Sequence, residues 1–410
     1  MKIILSVLGL ILMQLNTKAQ QGCTDSQASN YNPNATLNDG SCVYPITNLT
    51  PTLLTGISTP LLDECSGLQN INGNLWTHPN HVDTNIYRID SLTNTIFQSV
   101  SLNTTDYDWE DMAASNDALF VGDFGNNSGN RTDLHILKIA LNDLGVSATN
   151  ANAETINFSY VDQTNFTPSL NNTPWDCEAF FYHNDSLHLF TKDWVTKWTK
   201  HYTLPAVAGT YSAQLRDSFN VNGLITSAAI DSNGLIVLLG YDNVIPAPCF
   251  IWMFSDYQSG NFFTGNKRRF SLGTALTLGQ VEGIDFTQPG KGYITNERFQ
   301  QSIFNVPPQL KEFSLLPYLP VTTSIIKIDK HANISIGPVP ATNELHINFI
   351  AENYETYSLT VTAISGEVVL KTDNINHSMS IDIHDLNSGT FIGTLKAKDS
   401  SVITFTFIKN

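Results

Sequence analysis

The sequence predicts an all-β chain in which a five-bladed β-propeller precedes a small C-terminal β-sandwich. Strand-like segments recur through residues 46–320 at a period of roughly 40–50 residues, which is typical of propeller blades. Each repeat supplies about four strands, the size of one blade. From residue 333 onward, short segments of alternating polarity follow one another, as in a sandwich. Six blades are the alternative count for the propeller.

Residues 1–20 have the features of a secretory signal peptide. Lys2 precedes an apolar run over residues 3–12, and that run is too short to span a bilayer. No later segment approaches the ~18 apolar residues that a membrane helix needs. We therefore expect an exported chain without a transmembrane segment.

Residues 22–45 form a short module rich in Asn, Asp and Gly. It is too short for a hydrophobic core, so we expect it to depend on a disulfide between Cys23 and Cys42. The module is similar to the Gly-Cys-Thr-Asp type repeats of exported Bacteroidota proteins. The three other cysteines, Cys65, Cys177 and Cys249, are expected to be buried apolar residues rather than nucleophiles.

The repeats of residues 46–320 share a first strand that carries a small polar or acidic residue at one point. An apolar strand with a polar end follows each of these first strands. The fifth repeat lacks an outermost strand, which residues 53–57 could supply and thereby close the ring. The marked residues of the five first strands are Ser66, Glu110, Glu178, Ser227 and Glu282.

Equivalent residues on the innermost strands of a propeller converge on one axis. Three carboxylates at one level of a narrow channel repel each other strongly, and a cation relieves that repulsion. Carboxylate and hydroxyl oxygens suit Ca²⁺, whereas the lack of His and Cys at these positions argues against zinc. We therefore expect the five marked residues to hold Ca²⁺. In the alternative interpretation they cap backbone amides at the start of each blade.

The order Ser, Glu, Glu, Ser, Glu resembles the axial calcium ring of calcium-activated nucleotidases, the soluble apyrases. The resemblance covers about residues 46–317 and includes the local sequences at 109–110, 177–180, 226–227 and 281–286. It implies a five-bladed propeller with an axial Ca²⁺ and a calcium-dependent phosphohydrolase activity of nucleotidase type.

A hydrolase of this kind needs further residues around the ion. Ca²⁺ would bridge phosphate oxygens, and a carboxylate such as Asp111 or Asp123 would orient the attacking water. Cationic or imidazole side chains near the blade tops would contact the substrate. The candidates for this role are His78, Lys192 and Arg298.

Two other functions remain open from the sequence. In the first, the chain is a non-catalytic binding or adhesion propeller. Ca²⁺ holds its blades together, and its surface turns contact glycans or proteins. In the second, the chain is a lactonase-like or esterase-like propeller, although such rings are usually rich in Asn and Asp. A small phosphorylated or glycan ligand fits these hypotheses. The net charge of −16 excludes a generic nucleic-acid surface.

After a predicted linker at 321–332, residues 333–410 resemble the C-terminal sorting domain of the type IX secretion system. The resemblance starts at about residue 331 and rests on the sequences at 337–345, 365–369, 381–386, 388–391 and 407–410. It implies a secreted Bacteroidota protein whose partner is the type IX machinery. We therefore expect passage through the periplasm to the cell surface or the medium.

Overall fold

The computed structural model describes residues 20–319 apart from 58, 59, 81, 82, 94 and 259. In the C-terminal part it describes 334–337, 341, 343–349, 356–363, 366–375, 378–397 and 402–409. The chain divides into two compact units, Met1–Pro317 and Tyr318–Asn410. The predicted linker and, except for Gln20, the predicted signal peptide lie outside the described residues.

The N-terminal module is held by the expected disulfide between Cys23 and Cys42. Its two short strands, β1 (Gln21–Gly22) and β2 (Leu37–Asn38), pair in parallel. The module packs on a later strand, where Arg268 donates a hydrogen bond of 2.7 Å to Gln27 and Lys267 donates one of 3.0 Å to the carbonyl of Gly40. Two strands follow the module, β3 (Thr47–Asn48) and β4 (Thr52–Gly56).

Antiparallel sheets of four strands make up the rest of the described part of residues 46–319. Sheet 1 contains β5 (Cys65–Ile71), β6 (Asn74–Pro79), β7 (Asn85–Ile89) and β8 (Ile96–Leu102). Sheet 2 contains β9 (Trp109–Ala114), β10 (Ala118–Asp123) and β11 (His135–Ala140), then, after the short β12 (Asn150–Ala151), β13 (Ala153–Tyr160). Sheet 3 contains β14 (Asp176–His183), β15 (Ser186–Lys192), β16 (Thr199–Pro205) and β17 (Gly209–Phe219).

Two further sheets complete this part of the chain. Sheet 4 contains β18 (Leu224–Ile230), β19 (Ile236–Tyr241), β20 (Pro248–Ser255) and β21 (Asn266–Thr274), and the helix α1 (Ala275–Leu278) follows it. Sheet 5 contains β22 (Gln280–Gln288), β23 (Lys291–Glu297) and, after a hairpin of β24 (Phe299–Gln301) and β25 (Phe304–Val306), β26 (Gln309–Ser314). The fourth strand of sheet 5 is β4, which pairs antiparallel with β26. The expected closure by residues 53–57 is therefore confirmed.

The first strands of the five sheets form a ring. They contact one another in the cyclic order β5, β9, β14, β18, β22 and back to β5. Outside this ring, three parallel pairings extend the sheets: β12 adds to β8 of sheet 1, β3 adds to β21 of sheet 4, and β17 of sheet 3 pairs with β13 of sheet 2. The pairing of β13 with β17 makes one continuous eight-stranded ladder of sheets 2 and 3. The arrangement is propeller-like, with the first strands innermost.

Apolar side chains fill the space between neighbouring sheets. Trp76 of sheet 1 packs with Trp109 and Leu119 of sheet 2, and Phe124 and Phe180 meet between sheets 2 and 3. The three unpaired cysteines are buried, as expected from the sequence. In the described part of the chain, no helix is long and apolar enough to cross a membrane.

The C-terminal unit has two antiparallel sheets around one apolar core. The first contains β27 (Ile334–Gly337), β28 (Glu344–Phe349) and β31 (Met379–Asp382). The second contains β29 (Tyr357–Ala363), β30 (Val368–Ile375), β32 (Gly389–Ala397) and β33 (Val402–Lys409). Ile347 of the first sheet and Leu359 and Phe407 of the second belong to the same buried cluster. This is the two-layer arrangement of a small β-sandwich.

Candidate functional site

A register shift of the β-bulge type interrupts each inner strand near its beginning. In sheets 2, 3 and 5 the extra residue is a glutamate: Glu110, Glu178 or Glu282. A bulge re-aims its side chain relative to the regular pleat, and bulges are frequent beside functional sites. In sheet 1 the shift contains Ser66 and Gly67.

Sheet 4 departs from the predicted ring by one residue. The register shift lies between Ile225 and Ser227, so Thr226 is the residue that corresponds to the three glutamates. The Thr226 hydroxyl donates a hydrogen bond of 2.9 Å to the carbonyl of Val281. The assignment of Ser227 to the ring is corrected accordingly.

The three glutamates belong to a larger group of charged side chains, which we call the acidic cluster. Its members are Glu110, Glu178, Glu282, Asp176, Glu297 and Lys192. Asp176 begins β14 and lies opposite Lys192, the last residue of β15. Glu297 ends β23 opposite Gln280. All six side chains are buried except Glu297, which is partly exposed.

Lys192 supplies the ammonium group of the acidic cluster. Its Nζ contacts a carboxylate oxygen of Glu178, and it lies 5.1 Å and 5.4 Å from the ring centres of Trp194 and Tyr241. Burial lowers the pKa of Lys192, but the charges of Glu178, Glu282 and other neighbours outweigh burial and raise this pKa well above its usual value. Lys192 is therefore a firmly protonated internal counter-ion.

The carboxyl groups of the acidic cluster are harder to ionise than free ones. Burial raises the pKa of Glu110 well above its usual value, and the charges of Glu178, Asp108 and Asp176 add to the rise. Burial also raises the pKa of Glu178, which Lys192 partly opposes. The cluster thus concentrates more carboxyl groups than its ammonium can neutralise.

Amide and hydroxyl groups connect the remaining carboxylates. Gln280 donates hydrogen bonds to Glu282 at 2.6 Å and to Glu297 at 3.2 Å. Ser66 donates one of 3.4 Å to Glu297. Burial and the repulsion from Glu282 raise the pKa of Glu297 well above its usual value. Ser66 thus lies beside the acidic cluster, and its role as a metal ligand stays a prediction.

Asp111 lies one residue deeper along the axis than Glu110 and is fully buried. Its carboxylate accepts hydrogen bonds from the Ser227 hydroxyl at 3.0 Å and from the backbone N–H groups of Met112, Phe180 and Ala228. Burial raises the pKa of Asp111 well above its usual value, although these donors oppose the rise. Asp111 therefore ties three inner strands together. It does not occupy the water-facing position expected of a catalytic base.

Gly67 and Gly283 allow the inner strands to approach closely at the level of Asp111 and Ser227. A Cβ on Gly67 would approach the backbone nitrogen of Met112 to 2.8 Å, and one on Gly283 would approach the carbonyl oxygen of Ser66 to 2.7 Å. No other residue fits such close approaches. This packed layer separates the acidic cluster from the opposite end of the inner strands.

Asp123 is also fully buried, at the end of β10. Arg131 donates a hydrogen bond of 2.8 Å to it, the backbone N–H of Tyr107 donates one of 3.1 Å, and His135 lies 3.6 Å away. These partners place Asp123 in a structural network rather than at a water-filled opening. The catalytic role expected for Asp123 therefore finds no support in its surroundings.

Residues 122–127, which span the end of β10 and the loop after it, lie against the acidic cluster. A Cβ on Gly125 would lie 2.3 Å from a carboxylate oxygen of Glu110 and 2.4 Å from the carboxyl group of Asp108. Glycine is required here because the backbone approaches both acids closely.

The predicted substrate contacts are scattered. His78 is fully buried, edge-on to the ring of Trp109 at 5.5 Å, and burial lowers its pKa to about 4. Arg298 lies on the surface and forms a two-bonded ion pair with Asp63, with distances of 2.9 and 3.0 Å. Only Lys192 of the three belongs to the acidic cluster, and there it binds a glutamate. The structure does not unite these residues into a substrate site.

The sequence prediction missed Asp176 and Glu297. Both were detectable, because Asp176 stands two residues before Glu178 and Glu297 is the polar end of the strand that follows Glu282. Within the described residues, no three His, Cys, Asp or Glu side chains already converge closely enough to hold a metal ion.

Comparison with known proteins identifies the C-terminal region. Residues 335–410 match the family model of the secretion system C-terminal sorting domain. This sorting domain indicates export by the type IX machinery to the cell surface or the extracellular space. No curated protein matches the chain significantly.

Solved structures resemble the chain distantly. The PQQ-bound aldose sugar dehydrogenase of Streptomyces coelicolor is 10% identical over 66% of this chain and 99% of that one, with a TM-score of 0.40. A hypothetical protein from Leishmania major is 9% identical over 68% and 92%, with a TM-score of 0.36. A DUF3244 family protein from Bacteroides vulgatus, with an immunoglobulin-like sandwich, is 16% identical over 19% and 84%, with a TM-score of 0.17. Similarities this low carry no argument about activity.

Proposed function

We propose that this exported protein is a non-catalytic, five-bladed binding propeller whose acidic cluster takes up Ca²⁺. Each four-stranded sheet corresponds to one blade in this proposal. The observation that carries it is the charge imbalance of the acidic cluster, in which buried Glu110, Glu178, Glu282 and Asp176 surround the ammonium of Lys192. Burial raises the pKa of the three glutamates, neighbouring carboxylates add to the rise, and a bound divalent cation would stabilise their ionised form.

The donor set suits calcium chemically. Glu110, Glu282 and Glu297 would supply hard carboxylate oxygens, while Glu178 stays paired with Lys192. Because these acids do not yet converge, their side chains have to turn toward the ion. The ion would neutralise charge and link the inner strands of sheets 2 and 5.

A nucleotidase-type hydrolase is less well supported. Asp111, Asp123 and His78 are buried and engaged with protein groups, and Arg298 is paired with Asp63. No observation favours the lactonase-like alternative. The surroundings of these residues thus favour binding over catalysis.

Calorimetry of the secreted protein tests the calcium proposal. After removal of metal by EDTA, Ca²⁺ at a hundredfold excess over Kd should stabilise the protein by about 2.7 kcal/mol and raise Tm by roughly 5 °C. Mg²⁺ should do less, because it demands compact octahedral geometry. Absence of any shift with millimolar Ca²⁺ would refute the proposal.

Matched variants locate the effect. Glu282→Gln should reduce the Ca²⁺-dependent shift by more than half, while leaving the metal-free protein equally or more stable because one buried charge is gone. Glu154→Gln makes the same change at an exposed position of β13 and should behave as the wild type. Equal losses in both variants would show that the acidic cluster does not hold the ion.

A further inference from the structure

The far ends of the inner strands surround a second polar site. A cavity of about 680 Å³ opens there, lined by the ends of β5, β9, β14, β18 and β22 and by the turns that follow them. Because all five inner strands contribute, the cavity lies on the axis of their ring. Its volume is within the range of about 300–1,000 Å³ that is usual for ligand sites.

Neutral polar side chains dominate this opening, which we call the amide cavity. Every sheet contributes at least one of them, and among the described residues that line it none is Lys or Arg. Carboxamides both donate and accept hydrogen bonds, which matches the dual character of sugar hydroxyl groups. The neutral polar residues with amide or hydroxyl side chains are Gln69, Asn70, Asn116, Asn184, Ser232, Thr287 and Gln288, beside the phenol of Tyr182.

The two carboxylates of the amide cavity already accept hydrogen bonds from groups of the protein. Asp285 accepts hydrogen bonds from the side chain of Gln69 at 2.7 Å and from the backbone N–H of Asn70 at 2.6 Å. Asp231 accepts backbone N–H groups of its own turn and of Gly290. The described lining contains no Lys or Arg, and its imidazole, His183, is partly buried, which lowers its pKa. This described lining therefore offers an anionic ligand such as a phosphate ester no permanent positive charge.

Free hydrogen-bonding groups and an aromatic ring complete the cavity. The exposed side-chain amides of Asn116 and Gln288 make no hydrogen bond with the described part of the protein. The ring of Tyr182 lines the cavity and is held by stacking on Phe120, with centroids 5.8 Å apart and planes 10° apart. A fixed aromatic ring offers the apolar C–H face of a sugar a contact surface at low entropic cost.

The amide cavity continues sideways between sheets 1 and 2. A smaller cavity of about 290 Å³ there shares part of its lining, including Asn70, Asn116 and Tyr182, and extends to Asn72 and Leu141. An elongated ligand can therefore follow the surface beyond the axis.

We propose that the amide cavity binds a neutral oligosaccharide, at the opposite end of the inner strands from the acidic cluster. The packed layer around Asp111 separates the two sites. Binding of the oligosaccharide therefore does not require Ca²⁺, and this site can be tested independently of the calcium proposal.

A glycan array carrying neutral and acidic glycans, probed with the secreted protein in EDTA and in Ca²⁺, tests the proposal. We expect binding to neutral glycans under both conditions, followed by a measurable Kd in calorimetric titration with the best neutral oligosaccharide. The double variant Asn116→Ala with Gln288→Ala should weaken this binding at least tenfold. The matched double variant Gln300→Ala with Gln301→Ala, in the exposed hairpin of β24 and β25, should bind as the wild type.

Three results would overturn the proposal. They are no binding to any neutral glycan, preferential binding to acidic glycans, and unchanged affinity of the Asn116 and Gln288 double variant. Circular dichroism and the melting temperature of each variant show whether it is folded. If the double variant is unfolded, Gln288→Ala alone, which changes an exposed turn residue, decides the question by the same affinity measurement.

Discussion

The two ends of the inner strands differ in how their polar groups are used. At one end, Glu110, Glu178 and Glu282 are buried around Lys192, so their charges act on each other and on stability. At the other end, Asn116 and Gln288 are exposed and neutral, so they are available to a ligand at little cost to folding. Six positions separate Glu110 from Asn116, and six separate Glu282 from Gln288, which corresponds to about 20 Å of extended chain. A propeller can thus keep stabilisation and recognition apart on the same five strands.

The largest effect is expected from removing the ammonium of the acidic cluster. Lys192→Met leaves Glu178 buried without its partner and should destabilise the metal-free protein at pH 8 by about 3–5 kcal/mol. Ca²⁺ or a pH of 5 should restore much of this loss, because either neutralises the carboxylates. Denaturant unfolding of the variant and the wild type without metal at pH 8, with Ca²⁺ at pH 8, and without metal at pH 5 measures the loss of stability.

Lys311 provides the control for Lys192. It is also buried, but it donates to the carbonyl of Leu278 and the side-chain oxygen of Asn296, and burial lowers its pKa to about 8. Lys311→Met should therefore cost less, and Ca²⁺ should not restore the loss. If Ca²⁺ stabilises the two variants by the same amount, the unpaired charge of the acidic cluster is not what destabilises Lys192→Met.

The next effect concerns the layer between the two ends. Asp111→Asn replaces one acceptor oxygen by an N–H₂ group that faces backbone donors, and should cost about 1–3 kcal/mol for each buried group left unsatisfied. The loss should be the same with and without Ca²⁺, as measured by thermal unfolding. A large Ca²⁺-dependent component would instead place Asp111 in the metal site.

A smaller effect is expected from pH. The folded-state pKa values of Glu110, Glu178 and Glu282 are raised, so the stability that they contribute is complete below about pH 4.5 and is lost as the pH rises through the raised values. Metal-free protein should accordingly be more stable at pH 5 than at pH 8, by about 1–2 kcal/mol. His78 and His188 oppose this gain, because burial lowers their pKa values to about 4 and about 3, so that in this range only the unfolded state takes up their protons. Melting curves in EDTA at both pH values measure this difference.

The double variant Glu110→Gln with Glu282→Gln checks the origin of the pH effect. It should reduce the pH dependence, since two of the three glutamates to which we assign it are gone. An unchanged pH profile would assign the effect to other groups, such as Asp285, whose pKa burial raises to about 7.

The smallest effect is expected at the amide cavity. The double variant Asn116→Ala with Gln288→Ala should change stability by no more than about 0.5 kcal/mol, because both side chains are exposed and unpaired within the described part of the protein. Chemical denaturation measures it beside the acidic-end variants. A loss of stability comparable to that of Lys192→Met would show that Asn116 and Gln288 contribute to folding as much as the acidic cluster does.

Sequence patterns alone predicted several local features correctly. The Cys23–Cys42 disulfide, the burial of three other cysteines, the sorting domain and the closure by residues 53–57 were all expected before the fold was known. Spacing and polarity along the chain suffice for the disulfide, the buried cysteines and the closure, because each depends on a short segment or on one pairing of edge strands. The sorting domain was expected from its resemblance to a known family. The repeated local pattern also marked Glu110, Glu178 and Glu282, which the structure places at equivalent bulges, whereas their role as calcium ligands stays a prediction.

The tertiary structure alone decided which residues share a site. A one-residue bulge moves Ser227 out of the ring and onto Asp111, an effect that residue identities at the repeat cannot reveal. Asp111 is bound by backbone N–H groups of Phe180 and Ala228, which are distant in the sequence, so its structural role depends on the packing of three strands. Likewise, the amide cavity exists because the ends of five inner strands meet around one axis. Local sequence determines the chemistry of each side chain, whereas long-range packing determines its burial and its partners.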